Sequence, residues 1–161
     1  MKIANLLAAM MLAATTPAMA ADKPDAFVAA AARSNMAEIE LSKLALQKSQ
    51  DARVRDFARR MIDDHIKTGN LLAVVARQEH IPLPDGLDAV HAARLADLTA
   101  MSAGFDRAYV DIMAADHAAA VTLFSDYAGT GEDPYLKRFA QNTLPALTAH
   151  KAIIDALQAM M

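Results

Sequence analysis

From residue 27 to the end of the chain, apolar side chains recur in alternating steps of four and three, the spacing that turns one stripe of a helix toward its neighbours in a left-handed bundle. The first such stripe is Phe27, Ala31, Ser34, Glu38, Leu41 and Ala45, and the second is Val54, Ala58, Met61, His65, Thr68, Leu72 and Val75. The third is Asp106, Val110, Met113, His117, Ala120 and Phe124, and the fourth is Leu136, Ala140, Thr143, Leu147, His150, Ile154, Leu157 and Met161. Each stripe is interrupted by one ionisable residue: Glu38, His65, His117 and His150. A stripe position points into the core, where an unpaired charge or an unbonded imidazole is costly.

Proline, glycine and capping residues divide this pattern into four long helices and a short one. The first is predicted over residues 25–48, and the second follows Ser49 as its N-cap and runs to about His80, where Ile81-Pro82 and Pro84 end it. The third is predicted over residues 102–127, ended by Gly129-Thr130-Gly131, and the fourth opens on Asp133-Pro134. The tight connections make each pair an antiparallel hairpin. Between the hairpins, residues 87–98 repeat apolar positions at helical spacing and form a short crossover helix. A connection of this length permits a ferritin-like order of helices as well as a simple up-and-down one. Pro145 falls inside the fourth helix and is expected to bend it ahead of His150.

Reflecting each hairpin about its turn sets Glu38 beside Met61–Ile62 and His150 beside Ile112–Met113. The four polar positions then lie within about 5 to 8 Å of one another along the bundle, at 1.5 Å per residue. One shared cluster is geometrically allowed, and the rotation of each helix decides it. Met-x-x-Asp-His occurs twice, at Met61–His65 and Met113–His117.

Composition narrows the setting. Residues 1–20 combine Lys2, an apolar run from Ile3 to Ala14, and Ala18-Met19-Ala20, the layout of a secretory signal peptide cleaved after Ala20. Residues 21–161 then form one bundle domain exported to the periplasm. Removing the leader takes away one lysine and moves the net charge from −3 to −4. Scattered cations on an acidic chain give no footprint for nucleic acid or anionic lipid. No later stretch approaches the roughly 18 uncharged apolar residues of a membrane helix. The chain has no cysteine, so no disulfide staples it.

One glutamate and three histidines from four helices suit a divalent transition metal such as zinc, copper or iron, imidazole and carboxylate together completing four-coordination. Asp64 and Asp116 sit about 100° around their helices from His65 and His117, which favours supporting or capping roles. Asp106 and Tyr109 are further partners within the bundle. Met61 and Met113 each precede a histidine by four residues, so a thioether–imidazole site for copper(I) is a second version, against which stands their ordinary use as core filler. The competing reading makes the chain a non-catalytic envelope stress or interaction protein. In it neutral histidines bonded to Glu38, Asp106, Tyr109, Thr68, Thr143 or backbone only fix the register, and any partner is another envelope protein. His80 and His91 are read as solvated. Di-iron oxidase chemistry is disfavoured, because the residues three before the core histidines are Ile62, Ala114 and Leu147. No nucleophile elbow or phosphate-binding loop is present, and no catalytic residue is assigned.

Met36-Ala37-Glu38-Ile39-Glu40-Leu41 with Leu44-Ala45, Phe57-Ala58, Met61 and Asp64-His65, Phe105-Asp106, Tyr109, His117, and Leu144-Pro145 with His150 occur in an order that resembles the bacterial exported domain of unknown function 4142. That resemblance implies an all-α, ferritin-like four-helix bundle in the periplasm or at the outer membrane, with no established activity. It also implies that Glu38, Asp64, His65, Asp106, Tyr109, His117 and His150 belong to the family's pattern.

Overall fold

The computed structural model describes residues 23–161; the signal peptide expected at residues 1–20 lies outside them. The helices are α1 (Pro24–Lys48), α2 (Ala52–Gln78), α3 (Ala89–Ala100), α4 (Phe105–Thr130) and α5 (Pro134–Ala159). Among the described residues no helix is long and apolar enough to cross a membrane.

Local chemistry sets the helix ends. Pro24 and Pro134 occupy first-turn positions, where the missing N–H costs nothing. Asp133 caps α5 by accepting from the backbone N–H groups of Tyr135 and Leu136. The expected N-cap of α2, Ser49, instead terminates α1, its N–H donating to the Ala45 carbonyl, and Asp51 caps α2 by accepting from the Arg53 N–H. A carboxylate at an N-cap also meets the positive end of the helix dipole, so Asp51 outcompetes the earlier hydroxyl. Helix α4 begins three residues later than expected. Gly104 holds φ at +70°, a left-handed conformation that breaks the chain there, and its carbonyl accepts from the Ala108 N–H. The same helix runs through Gly129 to Thr130 and ends at Gly131, while α5 continues through Pro145.

Packing is most extensive within the hairpins α1–α2 and α4–α5, and α2 also packs on α5 and α1 on α4. At one end of the bundle the Lys48 ammonium lies 5.6 Å from the centre of the Phe105 ring. At the other, Lys23 pairs with Glu132 at 2.5 Å. Helix α1 therefore runs toward the end where α4 starts, every adjacent pair of the four long helices is antiparallel, and the chain between α2 and α4 travels the length of the bundle. That is the ferritin-like order rather than the simple up-and-down one.

Helix α3 lies over α1 and α4 with Leu98 as its one buried residue. It is held at its C-terminus by Lys48, which donates to the carbonyls of Leu98, Thr99 and Met101. Replacing Lys48 by methionine keeps the aliphatic stem and removes the charge-assisted bonds. It is expected to cost roughly 1 to 2 kcal/mol and to speed amide exchange in α3 before any other helix, as hydrogen-exchange mass spectrometry would show.

The apolar core is divided. One cluster gathers Leu41, Phe57, Met61, Tyr109, Met113, Ile154 and their neighbours, and the other gathers Phe27, Leu72, Phe124, Tyr127, Phe139, Leu147 and theirs. Between the two lies a polar layer.

Candidate metal centre

Glu38, His65, His117 and His150 make up that layer, one residue from each long helix, with relative exposures of 1, 4, 0 and 4 %. Each sits about 13 to 20 Å, at 1.5 Å per residue, from the bundle end marked by Lys48. The three imidazole rings are 5.6 to 5.9 Å apart between centres. One nitrogen from each lies within 4.8 Å of the other two.

The opposite nitrogen of every ring is tied to an oxygen that only accepts, which fixes the tautomer. His65 donates from Nδ1 to Asn35 Oδ1 at 3.1 Å, and His117 donates from Nδ1 to the Met113 carbonyl at 2.9 Å. His150 donates from Nε2 to Asp64 Oδ2 at 3.0 Å. The lone pairs of His65 Nε2, His117 Nε2 and His150 Nδ1 are consequently turned inward, and each of these buried atoms lacks a hydrogen bond.

Glu38 lies beside two of the three imidazoles. Its Oε1 accepts from Ser34 Oγ at 3.1 Å. Its buried Oε2 lies 3.2 Å from His65 Nε2 and 3.4 Å from His117 Nε2. These approaches are short enough for hydrogen bonds but are not aligned for them.

Burial dominates the electrostatics. It pushes the Glu38 carboxyl up to about 8, with the negative charge of Asp116 adding to the rise and the Ser34 hydrogen bond opposing it. It pushes His65 down to about 3, helped by His117 and His150, and His117 down to about 4 against the Met113 bond. His150 is also held below the usual imidazole value by burial, despite Asp64. Burial works to raise Asp64, but hydrogen bonds from His150 and Lys67 outweigh it, so that carboxyl stays ionised and accepting. At neutral pH the layer thus holds three neutral imidazoles and a protonated Glu38.

The remaining predicted positions are distributed more widely. Asp64 supports His150 from the α2–α5 side, and Asp116 pairs with Arg94 of α3 at 2.5 Å. Tyr109 bonds Ser42 Oγ at 3.0 Å rather than a histidine, and Asp106 sits in the first turn of α4, three turns from His117. Thr68 and Thr143 donate to the carbonyls of Asp64 and Phe139 within their own helices. The histidines are bonded by none of Asp106, Tyr109, Thr68 and Thr143. Met61 and Met113 are fully buried in the apolar cluster one turn below the histidines. His80 is exposed, with φ of 57°, and His91 bonds Asp88 at 2.8 Å. Asn35 was absent from the sequence expectation. The sequence signal for it was weak, an asparagine one turn after Ala31 and off the counted stripe.

The fold and this layer define a class: an all-α, ferritin-like bundle with a buried layer of one carboxyl and three imidazole side chains at mid-height. The chain belongs to the family described as Domain of unknown function (DUF4142), whose model matches residues 9–157. Curated proteins give no match. Among solved structures the fold is similar to that described as CopM in the Cu(II)-bound form, with TM-score 0.71, 20 % identity, and 85 % of this chain and 96 % of that chain covered. It is also similar to a DUF305 fragment from Deinococcus radiodurans, with TM-score 0.73, 16 % identity, and 91 % and 98 % covered.

Proposed function

We propose that this protein is exported to the periplasm and binds one divalent transition-metal ion through His65, His117, His150 and Glu38. The observation that carries the reading is that three buried imidazoles bring one nitrogen each within 4.8 Å of the others, with Glu38 Oε2 3.2 and 3.4 Å from His65 Nε2 and His117 Nε2, while His65 Nε2, His117 Nε2, His150 Nδ1 and Glu38 Oε2 all lack hydrogen bonds. Buried polar atoms ordinarily find partners, and a shared cation would satisfy all four together.

Ligands about 2.1 Å from a common tetrahedral ion lie about 3.4 Å from each other, so the imidazoles would close inward by up to roughly 1.4 Å on binding. Three nitrogens and one oxygen suit Cu(II) and Zn(II), with Cu(II) the tighter of the two by the usual divalent order. The Cu(II)-bound form known for CopM, which shares the fold, agrees with this choice but supplies no residue to it. A cavity of about 20 Å³ beside Glu38 and His65, bounded by Ser34, Thr68, Leu72 and Phe124, has room for one water next to the layer.

Untagged protein from a periplasmic extract, beginning at Ala21, is expected to carry near-stoichiometric metal by elemental mass spectrometry. Adding Cu(II) or Zn(II) at a hundred times the dissociation constant should stabilise the fold by about 2.7 kcal/mol, and a chelator should reverse it. Metal-free protein whose melts ignore both ions and chelator would overturn the reading.

A further inference from the structure

Helix α2 carries a glycine, Gly69, one turn beyond His65, deep inside a helix where no turn or cap calls for one. An interior glycine costs a helix about 1 kcal/mol relative to alanine. Its neighbour explains the choice: a Cβ at Gly69 would stand 2.8 Å from Nδ2 of Asn35. Gly129 in α4, by contrast, would meet nothing within 4 Å. Asn35 reaches across from α1, and its Oδ1 is the acceptor for His65 Nδ1.

We propose that Asn35, given room by Gly69, is the positioning residue that locks His65 in the Nδ1–H tautomer and aims its Nε2 lone pair at the centre. The carboxamide oxygen cannot donate, so a ring placed against it must carry its proton on Nδ1. The planar amide has its nitrogen against α2 at Gly69 while its oxygen meets His65, so the one small residue sets the orientation of both groups. The role of this lock in metal affinity rests on the binding reading above. The lock itself does not.

Gly69→Ala is the informative variant because only the far end of a flexible side chain has to move, so the bundle folds while the Asn35–His65 bond is displaced. In metal-free protein at neutral pH, ring nitrogen NMR should show His65 as a single Nδ1–H tautomer in the wild type and a mixture of tautomers in Gly69→Ala and Asn35→Ala. Asn35→Asp keeps an acceptor oxygen and should keep the tautomer. Gly129→Ala, which makes the same change of residue at a helical site with open space, should also leave it intact. Cu(II) or Zn(II) binding should weaken about ten- to a hundred-fold in Gly69→Ala and Asn35→Ala and be largely retained in Asn35→Asp.

An unchanged tautomer in Gly69→Ala would overturn the proposal, as would unchanged affinity in a variant whose tautomer has been lost. Wild-type protein that binds neither ion while the tautomer responds as described would remove the metal reading and leave the lock standing.

Discussion

Replacing Glu38, His65, His117 and His150 together by leucine is expected to raise the stability of the metal-free protein by about 1 to 3 kcal/mol while abolishing metal binding, a larger combined effect than any single substitution should give. The four side chains are buried, each presents an atom with no hydrogen bond, and apolar clusters lie immediately above and below. Leucine is close to glutamate and histidine in volume and would fuse the two clusters into one core, adding roughly 25 cal/mol for each Å² of apolar surface removed from water. Against this stands the loss of hydrogen bonds with Ser34, Asn35, the Met113 carbonyl and Asp64, of which the Ser34 hydroxyl is only partly buried. The Met113 carbonyl keeps its helical partner and Asp64 reaches solvent, which leaves Asn35 as the main group stranded, at about 1 to 3 kcal/mol. Urea unfolding of chelator-treated wild type and variant would decide the matter. A variant several kcal/mol less stable than wild type would show that the layer specifies the fold and would favour the envelope interaction protein whose histidines are structural.

Glu38, His65, His117 and His150 are buried in one layer, as the counted stripes lead one to expect, because the feature that reveals them is periodic: a polar residue on an apolar stripe has nowhere to point but inward. The same arithmetic gave their common height, since rise per residue is fixed. It could not give the hydrogen bonds outside the stripe, which depend on helix rotation and on pairs distant in sequence. Asn35 and His65 are thirty residues apart, and His150 and Asp64 eighty-six. Asp64 illustrates the gap. Its position about 100° from His65 favoured a supporting role, and that offset aims it at α5 and so at His150, a partner that stripe counting does not identify. Thr68 and Thr143 failed as partners for a local reason, because a helical threonine hydroxyl reaches its own preceding carbonyl first. At the helix ends, Ser49 was expected to cap α2, yet Asp51 two residues later takes that place, its carboxylate meeting the positive end of the helix dipole.

The metal-free bundle is expected to be most stable near pH 6.5 and to weaken on both sides, by a mechanism that metal should abolish on the alkaline side. His65 and His117 titrate near the ordinary 6.5 when unfolded but at about 3 and about 4 when folded. Below 6.5 the unfolded chain therefore binds more protons, and stability is lost as pH falls. Glu38 runs the other way. Its folded value of about 8 exceeds the ordinary 4.5, so between those limits the native protein holds a proton that the unfolded chain has released, and stability is lost as pH rises. From pH 4.5 to 6.5 His65 and His117 against Glu38 give a net gain of about 1.4 kcal/mol per pH unit, and His150, also lowered by burial, adds to it in the same direction. From 6.5 to 8 Glu38 acts alone, and about 2 kcal/mol is lost before the curve flattens. Urea midpoints at pH 5, 6.5 and 8 test both limbs, and Glu38→Gln should steepen the acid limb, where Glu38 no longer opposes the histidines, while erasing the alkaline one. A cation at the same four atoms must displace the Glu38 proton, so its affinity should rise about tenfold per pH unit through pH 7 and level off only near 8. Were Glu38 already ionised in the native layer, affinity would be flat across pH 7 and stability would not fall between 6.5 and 8.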